Sequence, residues 1–230
     1  MSRILDVSTS YVSTLLRLGA GTFVRGAGSR PEARVRLYEF EGCPYCRKVR
    51  EMLTTLDLDA AIFPCPKGGT RFRPEVEKHG KAQFPFLIDP NTGTEMFESD
   101  DIIKYLAERY GDGTVPLSLR MGPLTVLSGS AGSLLRFTKG VRARPSRQPE
   151  GPLELYSYEG SPYCRIVRET LSALEIPYVL HNVGRGSAKR DEFKALAGKM
   201  QVPYLVDPNT GTAMFESAEI VAYLEKTYAL

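Results

Sequence analysis

Cys43-Pro44-Tyr45-Cys46 sets two thiols three positions apart, about one helical turn, where one thiol can attack and the other can resolve what the first has formed. Pro44 suits the first position of a helix, where its missing N–H is not needed. Cys43 then stands at the helix mouth, where unpaired N–H groups and the helix dipole favour a thiolate. Arg47, Lys48 and Arg50 follow within two turns and are expected to add positive potential. Cys43 is therefore the candidate nucleophile, and Cys46, one turn deeper, the more buried resolving thiol. A Cys-x-x-Cys is also half of a structural zinc site. Cys65 and Cys164 stand alone and the only histidines are His79 and His181, so the residues favour redox chemistry and no metal ligands are assigned.

The segment recurs. Glu41-Gly42-Cys43-Pro44-Tyr45-Cys46-Arg47 returns as Glu159-Gly160-Ser161-Pro162-Tyr163-Cys164-Arg165, and Asp89 to Thr94 returns as Asp207 to Thr212. The offset is 161 − 43 = 118 at the first block and 203 − 85 = 118 at Pro85/Pro203, so no net insertion separates the copies. Roughly two positions in five are identical between residues 35–111 and 153–229, the mark of a tandem duplication. The reactive position changes from Cys43 to Ser161, so the copies share a fold and are not expected to share a chemistry.

Each copy must supply the elements that hold these residues. An apolar strand opens it, Val35–Phe40 or Leu153–Tyr158. The helix begun by Pro44 carries Val49, Leu53 and Leu56 at i, i+4 and i+7, one face for a sheet, and Val167, Leu171 and Leu174 repeat that stripe. A second strand is expected near Ala60–Phe63 and Tyr178–Leu180, then a charged helix over Arg73–His79 and Arg190–Ala197. Pro85–Asp89 and Met96-Phe97 read as short strands joined by the turn Pro90-Asn91-Thr92-Gly93. Ser99 is expected to cap a last helix bearing Ile102, Tyr105, Leu106 and Tyr110. The order is β-α-β-α-β-β-α.

The basic, Ser/Thr-containing N-terminus is similar to an organelle transit peptide. Ser13-Thr14-Leu15-Leu16-Arg17 is, however, echoed by Gly132-Ser133-Leu134-Leu135-Arg136, which favours a short amphipathic helix ahead of each unit. The expected organisation is α/β: an N-terminal helical segment (1–34), a first domain (35–111), a helical segment and exposed linker (112–152) and a second domain (153–230). With 42% apolar and 25% charged residues, the composition is that of a soluble globular protein. A net charge of +3 without single-sign blocks excludes an argument for nucleic acid, and no apolar run reaches the roughly 20 residues of a membrane span. Four cysteines in this length make no disulfide framework, and the chain is expected in a reducing, cytoplasmic-type compartment, with organelle targeting the alternative.

That element order, with Cys-x-x-Cys at the first strand–helix junction and a proline opening the third strand, resembles the thioredoxin superfamily, so two tandem thioredoxin-like domains are expected. Cys43-Pro44-Tyr45-Cys46 resembles the glutaredoxin active site. Glu98-Ser99 followed by Ile102 and Tyr105-Leu106 is similar to the glutathione-binding end of glutathione transferase N-terminal domains, and the N-terminal domain of type-2 prostaglandin E synthases is a further resemblance. The likeness implies glutathione as cofactor, lying across Pro44, Tyr45, Phe84, Pro85, Glu98 and Ser99 in the first copy. In the second it implies Val202, Pro203, Glu216 and Ser217. It also implies cis bonds before Pro85 and Pro203, where the residues alone allow only a proline opening an edge strand. Ser99 would bind the γ-glutamyl carboxylate and Glu98 the ammonium, with Arg71, Arg73 or Lys78 near the glycyl carboxylate. The lysine that many glutaredoxins place before the reactive cysteine is absent, as is room for the helical domain of glutathione transferases.

Three functions follow. The first is a glutathione-dependent thiol–disulfide oxidoreductase acting through Cys43 and Cys46 on a glutathionylated or disulfide-bearing substrate. The second is a transferase or isomerase in which Ser161 activates glutathione. The third is a non-enzymatic glutathione or iron–sulfur adaptor whose second unit holds a protein partner. Lacking an acceptor pocket from a helical domain, copy two reads as the docking module, with Cys164 an inert, half-buried thiol.

Overall fold

The computed structural model describes residues 3–17, 19–120, 127, 130, 136 and 139–230. Helix α1 (Arg3–Leu15) precedes the first unit: β1 (Val35–Glu39), α2 (Pro44–Thr55), β2 (Ala60–Pro64), α3 (Arg73–Glu77), β3 (Phe86–Asp89), β4 (Thr94–Met96) and α4 (Ser99–Tyr110). A short α5 (Leu117–Arg120) follows. The second unit repeats the order as β5 (Leu153–Ser157), α6 (Pro162–Ala173), β6 (Tyr178–Asn182), α7 (Arg190–Ala197), β7 (Tyr204–Asp207), β8 (Thr212–Phe215) and α8 (Ser217–Tyr228). This is the expected β-α-β-α-β-β-α order in both copies, with boundaries shifted by a residue or two.

The units do not stand apart as beads. Their strands form one eight-stranded sheet in the order β4-β3-β1-β2-β6-β5-β7-β8. The join is antiparallel, with Ala60, Ala61 and Ile62 opposite Leu180, Val179 and Tyr178. Ala61 thus faces its own counterpart Val179 (61 + 118 = 179), so a local two-fold axis runs through the middle of the sheet, as in a symmetric dimer. The join covers the β2 and β6 edges, which would otherwise be open to pairing with another chain. Beneath the sheet the stripes of α2 and α6 are buried as their spacing requires: Val49, Leu53 and Leu56 with Val167, Leu171 and Leu174.

The opposite face of α2 overturns a simple amphipathic reading. Arg47, Lys48, Arg50, Glu51 and Thr54 are buried as well, because Ser13 and Arg17 of the leading segment, Asp100 of α4, and Glu159 and Asn182 of the second unit meet them. Helix α1 is amphipathic as expected, but its polar stripe turns inward. Ser10 donates to the Pro162 carbonyl at 2.7 Å, and Ser13 Oγ accepts from Arg47 at 3.2 Å and Arg165 at 2.7 Å. Ile4, Leu5, Val12, Leu15 and Leu16 face outward. The expected second leading helix falls largely on residues 132–135, outside the described residues. Arg136 is described, and it pairs with Glu169 as Arg17 pairs with Glu51.

Residues 139–152, expected as an exposed linker, are only partly exposed and are hydrogen-bonded into the fold. Lys67 N–H donates to the Val141 carbonyl at 2.6 Å and Ala143 N–H to that of Lys67 at 2.9 Å. Arg144 N–H reaches the Ala173 carbonyl at 2.7 Å. Residues 21–25 make the mirror-image contacts, with Arg185 N–H on the Thr22 carbonyl at 2.8 Å and Arg25 N–H on that of Thr55 at 2.7 Å. Each leading segment is therefore a strap bonded to both units. This is why both motifs carry a glycine before the reactive residue: a side chain at Gly42 would run into Val141, and one at Gly160 into Thr22.

The repeated Asp-Pro-Asn-Thr-Gly-Thr is an anchor as well as a turn. Asp89 accepts from Tyr105 at 2.6 Å and Tyr110 at 2.5 Å, and Asp207 accepts from Tyr223 and Tyr228 at the same distances. Burial pushes each carboxyl up, but the tyrosine and asparagine donors outweigh it and hold both below 3.8. A lowered carboxylate contributes stability above its unfolded pKa and loses it as the pH falls through its folded one. Asp89→Asn/Asp207→Asn is expected to cost about 2–4 kcal/mol at neutral pH. In urea melts the gap from wild type should narrow as the pH falls below the ordinary aspartate value and on through the lowered folded one.

Candidate functional site

Cys43 is the residue before α2, in extended backbone (φ −81°, ψ 121°), and its Sγ accepts the Cys46 N–H at 3.3 Å. The Phe84 carbonyl lies 4.0 Å from the same sulfur. Both Phe84–Pro85 and Val202–Pro203 are cis. Burial pushes the Cys43 thiol up, but hydrogen bonds from the Cys46 thiol and from the backbone of Cys46 and Tyr45 overcome it, and the thiol lies below its ordinary range. Burial and the neighbouring Cys43 drive Cys46 well above that range. The two thiols are thus pushed apart, Cys43 toward thiolate and Cys46 toward thiol, as an attacking and a resolving pair require.

The cations expected to assist do not do so. Arg47 binds Glu51, Arg50 binds Glu39, Glu41 and Glu159, and Lys48 reaches Asp100. Arg47 and Arg50 lie on the side of α2 that meets Glu159 of the other unit, whereas Lys48 turns to α4 of its own, and carboxylates neutralise all three. Arg73 is also spoken for, donating to the Cys65 carbonyl at 2.9 Å and sitting 4.7 Å over the Phe84 ring. Cys65 is buried, and that burial raises its thiol.

At the far end of the crevice the helix-capping residue is Glu98, not Ser99. Ser99 is the first helical residue and is buried, while Glu98 takes φ 65° with no capping hydrogen bond from its side chain. Glu216 repeats this at φ 69° ahead of Ser217. A non-glycine residue held at positive φ in both copies stores strain that ordinary capping would not need. The Glu98 carboxylate turns back to Gln83 at 2.6 Å and Lys81 at 3.3 Å, and that of Glu216 to Gln201 at 2.5 Å. These glutamines escaped the sequence reading. Their signal was there, one glutamine two residues before each repeated proline, as was a lysine four before, Lys81 and Lys199.

In the second unit Ser161 takes the place of Cys43, its Oγ accepting the Cys164 N–H at 3.3 Å. Cys164 is fully buried rather than half-buried, and burial raises its thiol. Pro203, Glu216, Ser217, Gln201, Val202 and Tyr163 line a crevice of about 340 Å³. A larger cleft of about 870 Å³ shares Tyr163 and Val202 with it and reaches Ser161. The walls of this cleft come from α1, residues 19–26 and residues 112–118. Tyr45 and Tyr163 stand exposed at the two crevice mouths.

The family model for the glutathione S-transferase N-terminal domain matches residues 37–114 and again 155–230. Among solved structures, the chain is similar to TDR1, a trimeric glutathione transferase from Leishmania, at 13% identity and a TM-score of 0.31, over 84% of this chain and 68% of that one. A comparison with curated proteins finds no match. No helix among the described residues is long and apolar enough to cross a membrane.

Proposed function

The chain belongs to the glutathione S-transferase N-terminal domain family through both of its repeats, and from that premise we propose that its first unit is a glutathione-dependent thiol–disulfide oxidoreductase. The observation that carries this reading is the asymmetric pair: Cys43 lowered and hydrogen-bonded by the start of α2, Cys46 buried and raised. The Cys43 thiolate attacks the glutathionyl sulfur of a glutathionylated substrate. A new disulfide joins Cys43 to glutathione, and the substrate leaves as a thiolate that takes a proton from water. A second glutathione thiolate then attacks the glutathionyl sulfur, releasing glutathione disulfide and Cys43. The Phe84 backbone, Pro85, Ser99 and Glu98, with Gln83 fixing the Glu98 carboxylate, hold the tripeptide for both steps. Pro44 and Tyr45 border its sulfur.

The second unit keeps the binding residues Val202, Pro203, Glu216 and Ser217 but has no thiol at its mouth, so it binds glutathione or docks a partner without thiol exchange. One observation favours a transferase reading there: Ser161 lines the large cleft beside the crevice.

The test is glutathione-coupled reduction of a glutathionylated small thiol. Wild type is expected to turn over, and an alkylatable Cys43 without turnover would remove the reading. Cys46→Ser should keep activity within about fivefold, because free glutathione can resolve the mixed disulfide. Alkylation of Cys43 by iodoacetamide, followed against pH, should rise through a midpoint below the ordinary thiol value of 9.0.

A further inference from the structure

Only Phe40, Glu41 and Gly42 separate β1 from Cys43, and the second unit holds the middle one. The Glu41 N–H donates to the Ser172 hydroxyl of α6 at 3.2 Å, and that hydroxyl donates in turn to the Gly140 carbonyl of the strap at 2.7 Å. Both bonds are buried. The Glu41 carboxylate accepts from Arg168, one turn earlier on α6, at 3.0 Å. Val141 of the same strap occupies the space that a side chain at Gly42 would need.

The arrangement is repeated in reverse across the local axis. Thr54 of α2 is the counterpart of Ser172 (54 + 118 = 172), and its hydroxyl accepts the Glu159 N–H, two residues before Ser161, at 3.1 Å. The Thr54 proton goes to the Asn182 side chain at 2.9 Å. Pro64 stands at the position of Asn182 in the first unit and offers no such acceptor, so Ser172 turns to Gly140 instead. Each helix thus carries a hydroxyl under the other unit's reactive turn, although the acceptors differ.

We propose that Ser172 of the second unit is a positioning residue for the Cys43 thiol of the first. Its hydroxyl fixes the Glu41 backbone, and with it the turn that brings Cys43 Sγ to 3.3 Å from the Cys46 N–H. Burial alone would raise that thiol, and the bonds from Cys46 and the Tyr45 backbone are what bring it down. Such bonds weaken steeply with misalignment, so they depend on where the turn sets the sulfur. Without the Ser172 hydroxyl, the Glu41 N–H and the Gly140 carbonyl are buried with no partner in place, and the turn must move to satisfy them. The second unit thereby takes part in the first unit's chemistry with no thiol at its own mouth. The inference rests on the reading of Cys43 as the nucleophile and adds to it a residue from the other repeat.

The experiment follows iodoacetamide alkylation of Cys43 against pH in the full chain, read by peptide mass, beside urea midpoints and glutathione-coupled turnover. Ser172→Ala is expected to raise the alkylation midpoint by about 0.5–1 pH unit, the worth of one hydrogen bond. Ser172→Thr keeps a hydroxyl, as Thr54 does across the axis, and should return the midpoint to the wild-type value. Thr54→Val removes the equivalent bond from the Ser161 turn. It should lower the urea midpoint comparably to Ser172→Ala and leave the Cys43 midpoint unmoved. The proposal falls if Ser172→Ala keeps the wild-type midpoint, or if Ser172→Thr shifts it as far as Ser172→Ala does. It falls equally if Thr54→Val produces the same shift, because general loosening would then account for the effect. Wild-type protein that alkylates at Cys43 without turning over would remove the oxidoreductase reading alone, and the comparison of midpoints would still decide the role of Ser172.

Discussion

Cys43→Ser is expected to reduce glutathione-coupled turnover by at least about a thousandfold, to the level of the uncatalysed exchange. The serine would keep the position, as the second unit shows: Ser161 caps α6 with the same 3.3 Å bond from Cys164 N–H that Cys43 accepts from Cys46. Fold and crevice should therefore survive, and only the nucleophile is lost. A hydroxyl is not appreciably ionised near neutrality, and helix-end donors that suffice to lower a thiol leave it protonated. The reverse exchange, Ser161→Cys, gives the complementary test. If a cysteine and a helix mouth are enough, Ser161→Cys/Cys43→Ser should regain turnover measurably above Cys43→Ser alone. Thermal melts of all three proteins should coincide within a few degrees, which separates loss of chemistry from loss of structure. Retained activity in Cys43→Ser would end the assignment of the first unit.

Glu159→Ala is expected to be the most damaging single change to stability, at about 3–5 kcal/mol. The carboxylate is buried among four guanidiniums: Arg168 at 2.8 Å, Arg50 at 2.9 Å, Arg47 at 3.6 Å and Arg165 at 3.8 Å. Burial pushes its pKa up, but Arg168 and Arg50 overcome that and hold the group far below the ordinary carboxylate range. The arginines show what this balance restrains. Arg165 is depressed to about 9 by burial and by Arg47 facing it, and Glu159 is among the groups pulling it back up. Without Glu159, like charges would meet in a site that water does not reach. Glu159→Gln keeps the shape and removes the charge, so it should show most of the loss, and urea midpoints with unchanged slopes would attribute it to the folded state. A loss below about 1 kcal/mol for both variants would mean that water enters and screens the cluster.

The same cluster explains how two repeats make one body. Glu41 is the counterpart of Glu159 (41 + 118 = 159), and it binds Arg168 at 3.0 Å while Glu159 binds Arg50 at 2.9 Å. The pairs are reciprocal across the local axis, as in a symmetric dimer interface. Departures from symmetry mark where the copies have diverged. Glu39, beside Arg50, is replaced by Ser157, whose hydroxyl accepts from Arg168 at 3.3 Å. Burial and the neighbouring acids raise Glu39 to about 7 against the pull of Arg50.

The sequence by itself determined the repeat, the order of elements in each unit, the stripes of α2 and α6 that meet the sheet, the turn at Asp89 and Asp207, and the positions of Cys43, Ser161 and the two prolines. These are local facts: a period of 3.6 or 2, a proline or glycine at a fixed place, a thiol at a helix start. The tertiary structure alone decided the rest. Arg47 and Arg50 read as positive potential for the Cys43 thiol, and became part of the buried charge layer between two units. The leading helix read only as amphipathic, and its Ser10 and Ser13 turned inward, to the Pro162 carbonyl and to Arg47 and Arg165. The linker became a strap, and residues 19–26 and 112–118, silent in sequence, became walls around Ser161. Each of these depends on residues distant along the chain, most of them in the other copy. A pattern read along one chain segment records which face is polar. Whether water or a second charged surface lies opposite it is settled only when the two halves meet.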